Sequence, residues 1–242
     1  MVVARALRAV RRRIARPILH GLRRPVVLRR IGRPSEVQLL GHRFRTDPAV
    51  FHPLYFSSSR LLAEHLLDRP LRGLSVLDMG TGAGPIAIAA AAAGAIVTAC
   101  DVNPRAVTLA RENAALNGLH PEIVESNLFD ALPNRRFDLI CFNIPFYPRE
   151  PVSPLDAAFY AGRELETVRR FARECARHLL PDGHVVVIFS EDCDGKLIRS
   201  LFEESGLCLE SNYASQRLLE RFYIVWFRAD ARDADGRARP RA

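Results

Sequence analysis

The segment Val76-Leu77-Asp78-Met79-Gly80-Thr81-Gly82-Ala83-Gly84 constrains this chain more than any other. An apolar strand ends in an acid, runs into glycines at every second position and meets Pro85 at the head of an alanine-rich stretch. Glycines in such a bend let the backbone turn at positive φ and let a ligand approach where a Cβ would collide. A strand, a tight bend and a helix in that order open a β-α-β unit, and therefore a parallel sheet covered by helices. A dinucleotide-binding loop reads Gly-x-Gly-x-x-Gly. Here the third glycine arrives one residue early and Pro85 takes the place of the expected last glycine, so the bend is not shaped for a pyrophosphate.

The alternation continues along the chain. Strands are expected at Leu74–Met79, Ile96–Cys100, Ile123-Val124, Phe137–Phe142, Val185–Phe189 and Phe222–Phe227. Between them, helices are expected at Pro85–Ala93, from Pro104 to the stop at Gly118, at Glu164–Leu180 and at Lys196–Glu204. Asn103 is a good N-cap for the second of these, because Pro104 then fills the first helical position. Leu165, Val168, Ala172, Cys175 and Leu179 form the inward face of the third. The class is α/β, with a parallel sheet and helices on both of its faces.

Two acids stand at strand ends. Asp78 sits at the entrance of the bend, where a carboxylate repels a diphosphate but receives a cationic amino-acid moiety, directly or through water. Asp101 ends the next strand, where an acid accepts hydrogen bonds from ribose hydroxyls. Together they suit a nucleoside joined to an amino acid and carrying a sulfonium, held by Asp78, Gly80, Thr81, Gly82, Gly84 and Asp101. A glycine turn with a capping carboxylate explains either acid alone and the pair poorly.

VLDMGTGAG, DVNPRAVTLARENAALNG and FDLICFNIPF together resemble a class I S-adenosylmethionine-dependent methyltransferase. Within that class, ESNLFDAL followed by FDLICFNIPFYP is similar to the release-factor glutamine methyltransferases and their base-methylating relatives. The resemblance runs from about Thr46 to Phe227. It implies a Rossmann-like, doubly wound sheet of seven mostly parallel strands, S-adenosyl-L-methionine at the strands' carboxyl ends, and methyl transfer.

Asn143-Ile144-Pro145-Phe146 closes a buried strand and so delivers a polar side chain to the sheet's carboxyl edge. The Asn143 side-chain oxygen and the Ile144 carbonyl can accept from an NH₂ group, Pro145 fixes the backbone, and Phe146 offers a flat face to an amide or base. Asn143 also borders the cofactor side; as a bland alternative, it caps a turn. The family pattern is Asn-Pro-Pro-Tyr/Phe, from which Ile144 departs, and Asn-Ile-Pro-Phe is similar to the motif of ribosomal-RNA adenine dimethyltransferases. Asn127, where related sequences commonly have Asp, either meets the adenine edge or caps a turn. Phe51 to Arg60 resembles the segment that folds over the site, with Ser59 expected to cap a helix starting near Leu61 and Phe56 either walling the pocket or packing as a staple.

Charge divides the chain into domains. Residues 1–45 hold thirteen arginines against the single acid Glu36, whereas the rest carries more acids than bases, although the whole is +8. The expectation is a basic leader over 1–45, partly helical (Val3, Leu7, Val10, Ile14) or disordered, a methyltransferase domain over 46–229 and a disordered tail over 230–242. The leader is either solvated or binds an anionic partner, nucleic acid or a membrane surface. Five scattered cysteines suggest neither a disulfide framework nor a zinc knuckle, and a cytoplasmic setting fits. The longest uncharged run, Met79–Cys100, is broken by glycines, so no integral membrane segment is expected. No metal site is indicated. The leading function is methyl transfer to an amide or amino nitrogen, of a protein glutamine or a nucleic-acid base. Small-molecule methylation and a catalytically inactive binding module are the alternatives.

Overall fold

The computed structural model describes residues 32–54, 57–217 and 220–229. The expected leader helix over 3–14, the tail over 230–242 and Phe56 lie outside the described residues.

The part of the 1–45 stretch that is described ends in a β-hairpin, β1 (Glu36–Leu39) and β2 (His42–Arg45), turned at Leu40-Gly41. Leu39 and Phe44 face inward and are buried, an alternation hidden in the sequence by the charge around it. There follow α1 (Ser57–Leu67), β3 (Ser75–Met79), α2 (Pro85–Ala92), β4 (Ile96–Asp101), α3 (Pro104–Leu116), β5 (Glu122–Glu125), β6 (Phe137–Asn143), α4 (Glu166–Cys175), β7 (Leu179–Ser190), α5 (Gly195–Glu203), β8 (Leu207–Arg217) and β9 (Glu220–Ala229).

Strands β3 to β9 make one seven-stranded sheet in the order β5-β4-β3-β6-β7-β9-β8. The first five in that order are parallel, and β9 and β8 join antiparallel. The expected doubly wound α/β sheet is therefore observed. Alternate side chains serve two cores: Leu77, Ile140 and Val187 pack with α4 and α5, whereas Val76, Cys141 and Val186 pack with α1, α2 and α3. Chain order reverses at β3, whose successors β4 and β6 lie on its two sides. That reversal opens a crevice at the carboxyl ends of the strands.

Two elements differ from expectation. The helix expected to run to Leu180 ends at Cys175 and a short 3₁₀ turn, and Leu179 begins β7 by pairing with Phe137. Leu179 is buried in either state, so helical spacing did not discriminate; Pro181 and Gly183 mark the irregular start of the strand. β8 was not expected because, as an edge strand mostly open to water, it carries no apolar alternation.

Asn113, fully buried in α3, ties the hairpin to the glycine bend. Its Oδ1 accepts from Arg45 N at 2.7 Å, and its Nδ2 donates to Arg45 O at 3.1 Å and to Ala83 O at 2.9 Å. Asn113→Ala strands these three backbone groups and is expected to destabilise the fold by about 2–4 kcal/mol. Urea unfolding followed by circular dichroism measures it, and a loss below about 0.5 kcal/mol would show that the hairpin tie is dispensable.

Candidate active site

A cavity of about 280 Å³ opens at the crevice. The bend after β3 forms one wall, with φ of +66° at Gly80, +58° at Gly82 and +90° at Gly84. A Cβ on Gly80 would lie 3.1 Å from the Phe142 ring, so the bend packs directly on β6. Asp101 braces it: Oδ2 accepts from Gly82 N at 2.8 Å and Oδ1 from Asn103 N at 2.9 Å. Burial raises the Asp101 carboxyl above its ordinary range, and the amides of Asn103, Gly82 and Val102 pull it back. Asp101, Gly80, Thr81 and Gly82 all line the cavity; Gly84 stands behind it as the cap of α2.

Asn103 caps α3 as expected, accepting from Arg105 N at 3.1 Å. Its Nδ2 also donates to Ala49 O at 2.9 Å, which draws Val50, Phe51 and Pro53 over the cavity. The covering role expected of the segment from Phe51 is thus present in its described part.

Asp78 does not line the cavity. It is fully buried behind the bend, where Oδ2 accepts from Thr81 Oγ1 at 2.7 Å and from Ala87 N at 3.1 Å. In the described structure it clamps the bend to the first turn of α2. Its sequence position at the strand end was right, but the pleat turns the side chain under the loop. Oδ1 is buried with no hydrogen-bond partner. Burial pushes this carboxyl up to about 7, helped by the Asp101 charge and opposed by the Thr81 and Ala87 hydrogen bonds. Between pH 4 and 7 the folded chain then keeps a proton that the unfolded chain releases, so stability falls as pH rises through that window. The fall is about 3–4 kcal/mol. Asp78→Asn is expected to flatten the pH dependence of the melting temperature, and an identical slope in both proteins would contradict the shift.

Asn127 is exposed and faces the cavity. The turn-capping alternative falls to its neighbour, because Ser126 Oγ accepts from Ala131 N at 3.0 Å and donates to Leu128 O at 2.7 Å. Leu128 holds φ +53°, a strained value for a side chain of that size, and lines the same wall. Ser126 and Leu128 fall within the ESNLFDAL motif, but the motif singled out only Asn127 as a site residue.

Asn143 and Pro145 line the opposite end. Asn143 Nδ2 donates to Ser59 Oγ at 2.9 Å. Ser59 was expected as an N-cap, but the helix begins at Ser57, which frees the Ser59 hydroxyl for the cavity. Ile144 points into the core, so its departure from proline places no side chain in the site. Phe146 is not among the cavity residues. It packs on the core and tilts against Tyr147 at 4.7 Å, while the rings of Phe142 and Phe51 line the cavity. The chain after Phe146 folds back through bridges Tyr147↔Tyr160 and Arg149↔Gly162, and Phe159 packs at 5.2 Å against Phe51, which lines the cavity.

Among the described residues there is no cluster of three metal-ligating side chains, no helix long and apolar enough to cross a membrane, and no disulfide among the five cysteines. The donor set fits an adenosyl compound: a carboxylate at the second strand end, a bend with room for close approach and a polar wall at Asn127 lead to an amide at Asn143. A sheet of this order with that site at its reversal defines a class I S-adenosylmethionine-dependent methyltransferase. Residues 41–213 match the methyltransferase small domain, and the chain belongs to that family.

Among its relatives is the release factor glutamine methyltransferase of Deinococcus radiodurans, 36% identical over 198 residues, which cover 76% of this chain and 66% of that protein. A Methanocaldococcus jannaschii protein provisionally named a protein N5-glutamine methyltransferase is 34% identical over 160 residues, 64% of this chain and 79% of its own length. The fold also superposes on the Thermus thermophilus 16S rRNA N2 G1207 methyltransferase, solved with the cofactor and guanosine. Its TM-score is 0.63 at 24% identity, over 82% of this chain and 50% of that one. The chain thus spans about two thirds of the Deinococcus enzyme's length.

Proposed function

We propose that this enzyme methylates the side-chain amide nitrogen of glutamine in a protein of the translation machinery, a peptide release factor in the first instance. The observation that carries the reading is Asn143, whose donor nitrogen is occupied by Ser59 and whose Oδ1 has no donor among the described residues. Two relatives act, by name, on glutamine.

When bound, S-adenosylmethionine supplies an electrophilic methyl group on sulfur. The protein's part is to place the acceptor. Asn143 Oδ1 and the Ile144 carbonyl accept the two hydrogens of an incoming NH₂, which fixes the direction of the nitrogen's electron pair. Pro145 restrains that carbonyl, while Phe51, backed by Phe159, and Phe142 shield the reacting atoms from water. Asp101 holds the ribose hydroxyls and Asn127 meets the adenine edge, with Gly80, Thr81 and Gly82 following the cofactor's backbone. Such an enzyme works in the cytoplasm beside its substrate, and the arginine-rich stretch 1–45 adds affinity for an anionic partner such as RNA.

The test supplies tritiated S-adenosylmethionine with the recombinant Deinococcus radiodurans release factor, or with total ribosomal RNA. Label is expected in the release factor and in glutamine after digestion. Label confined to RNA would replace the amide with a base, the reading that Asn-Ile-Pro-Phe itself admits. RNA affinity is expected to fall steeply with salt, and to lose that dependence when residues 1–31 are deleted.

A further inference from the structure

A carboxamide presents an acceptor on one side and a two-hydrogen donor on the other, and a half-turn of one torsion exchanges them. An unanchored Asn143 would therefore offer both faces to the cavity, and only one is useful to an NH₂ group. In this fold the carboxamide is anchored from another element, with its nitrogen as the donor. Ser59, in the first turn of α1 and 7% exposed, places Oγ 2.9 Å from Asn143 Nδ2. Both residues line the cavity. The helix that carries the hydroxyl is held firmly, because Leu61, Leu62 and Leu66 pack in the same core as Leu139 and Cys141 of β6.

We propose that Ser59 is a positioning residue of the acceptor site, which locks the Asn143 carboxamide with Oδ1 toward the substrate and so selects a group that brings N–H hydrogens. The inference rests on the amide-nitrogen reading above. With Nδ2 engaged, a bare carbonyl or ionised oxygen entering the site meets the Asn143 oxygen and is repelled. A primary amide instead gains a hydrogen bond, and discrimination of this kind is strong because the wrong group leaves a buried polar atom unpaired.

The experiment compares wild type, Ser59→Ala and Ser59→Thr by two readouts. The first needs no substrate: the side-chain NH₂ signals of Asn143 in the nitrogen-15 spectrum, assigned by their loss in Asn143→Asp. Their protection from hydrogen exchange is expected to fall about tenfold in Ser59→Ala and to persist in Ser59→Thr, as the loss of one hydrogen bond implies. The second is methyl transfer to the Deinococcus radiodurans release factor. Ser59→Ala is expected to lower kcat by about 10- to 100-fold, with KM for S-adenosylmethionine changed by less than about twofold, and Ser59→Thr to restore most of it. Unchanged Asn143 protection in Ser59→Ala overturns the proposal, as does a kcat loss accompanied by an equal loss of cofactor affinity. A wild-type enzyme that ignores the release factor refutes the substrate reading alone, because the exchange measurement still decides the role of Ser59.

Discussion

Asn143→Ala is expected to bind S-adenosylhomocysteine as the wild type does and to lose about two to three orders of magnitude in turnover. The side chain enters the site from the end of β6 and takes no part in the bracing of the bend, so its removal leaves the Asp101 contacts to Gly82 and Asn103 in place. What is lost is the Oδ1 acceptor that aligns the incoming nitrogen. Misplacement of a reacting group by about 1 Å already reduces rate by about 100-fold, and loss of a preorganised polar contact adds a comparable factor. Single-turnover methyl transfer separates this from a binding effect. Equal turnover in the mutant would remove Asn143 from the acceptor machinery.

Asp101→Ala is expected to fail one step earlier. The carboxylate holds the bend, since one oxygen accepts from Gly82 N and the other from Asn103 N, and in the proposed function it also receives the ribose. Its loss removes charge-assisted hydrogen bonds of about 1.5–3 kcal/mol each, which corresponds to at least about 100-fold weaker binding of S-adenosylhomocysteine. Asp101→Asn keeps one acceptor and is expected to fall between the two. Calorimetric titration of the three proteins gives the order directly, and unchanged affinity in Asp101→Ala would place the ribose elsewhere.

Much of the sheet could be read from sequence because its inner strands are apolar and its turns are punctuated. Gly84-Pro85, Asn103-Pro104 and Gly118 mark boundaries by backbone chemistry that survives any tertiary context. The elements that escaped reading are those whose pattern is set by neighbours. β8 looks polar because most of its side chains, at the sheet edge, face water, and Leu179 suits a helix or a strand equally. The same distinction runs through the site. Asp101 and Asn143 stand at strand ends, so their place in the crevice follows from topology. The direction of a side chain does not, which is why Asp78 proves to be a clamp beneath the bend, Phe146 belongs to the core, and Ser59 serves the cavity instead of the helix end. Ser126 and Leu128 enter through the turn after β5, inside a motif that marks the turn without saying which of its side chains face the cavity.

A single titration bears most directly on the central claim that the bend between β3 and α2, with Asp101 beside it, receives an adenosyl group joined to an amino acid. The full chain is titrated with S-adenosylhomocysteine and, separately, with NAD. One-to-one binding of the first and none of the second is expected. Absence of heat with S-adenosylhomocysteine, or saturable binding of the diphosphate compound in its place, would contradict the claim.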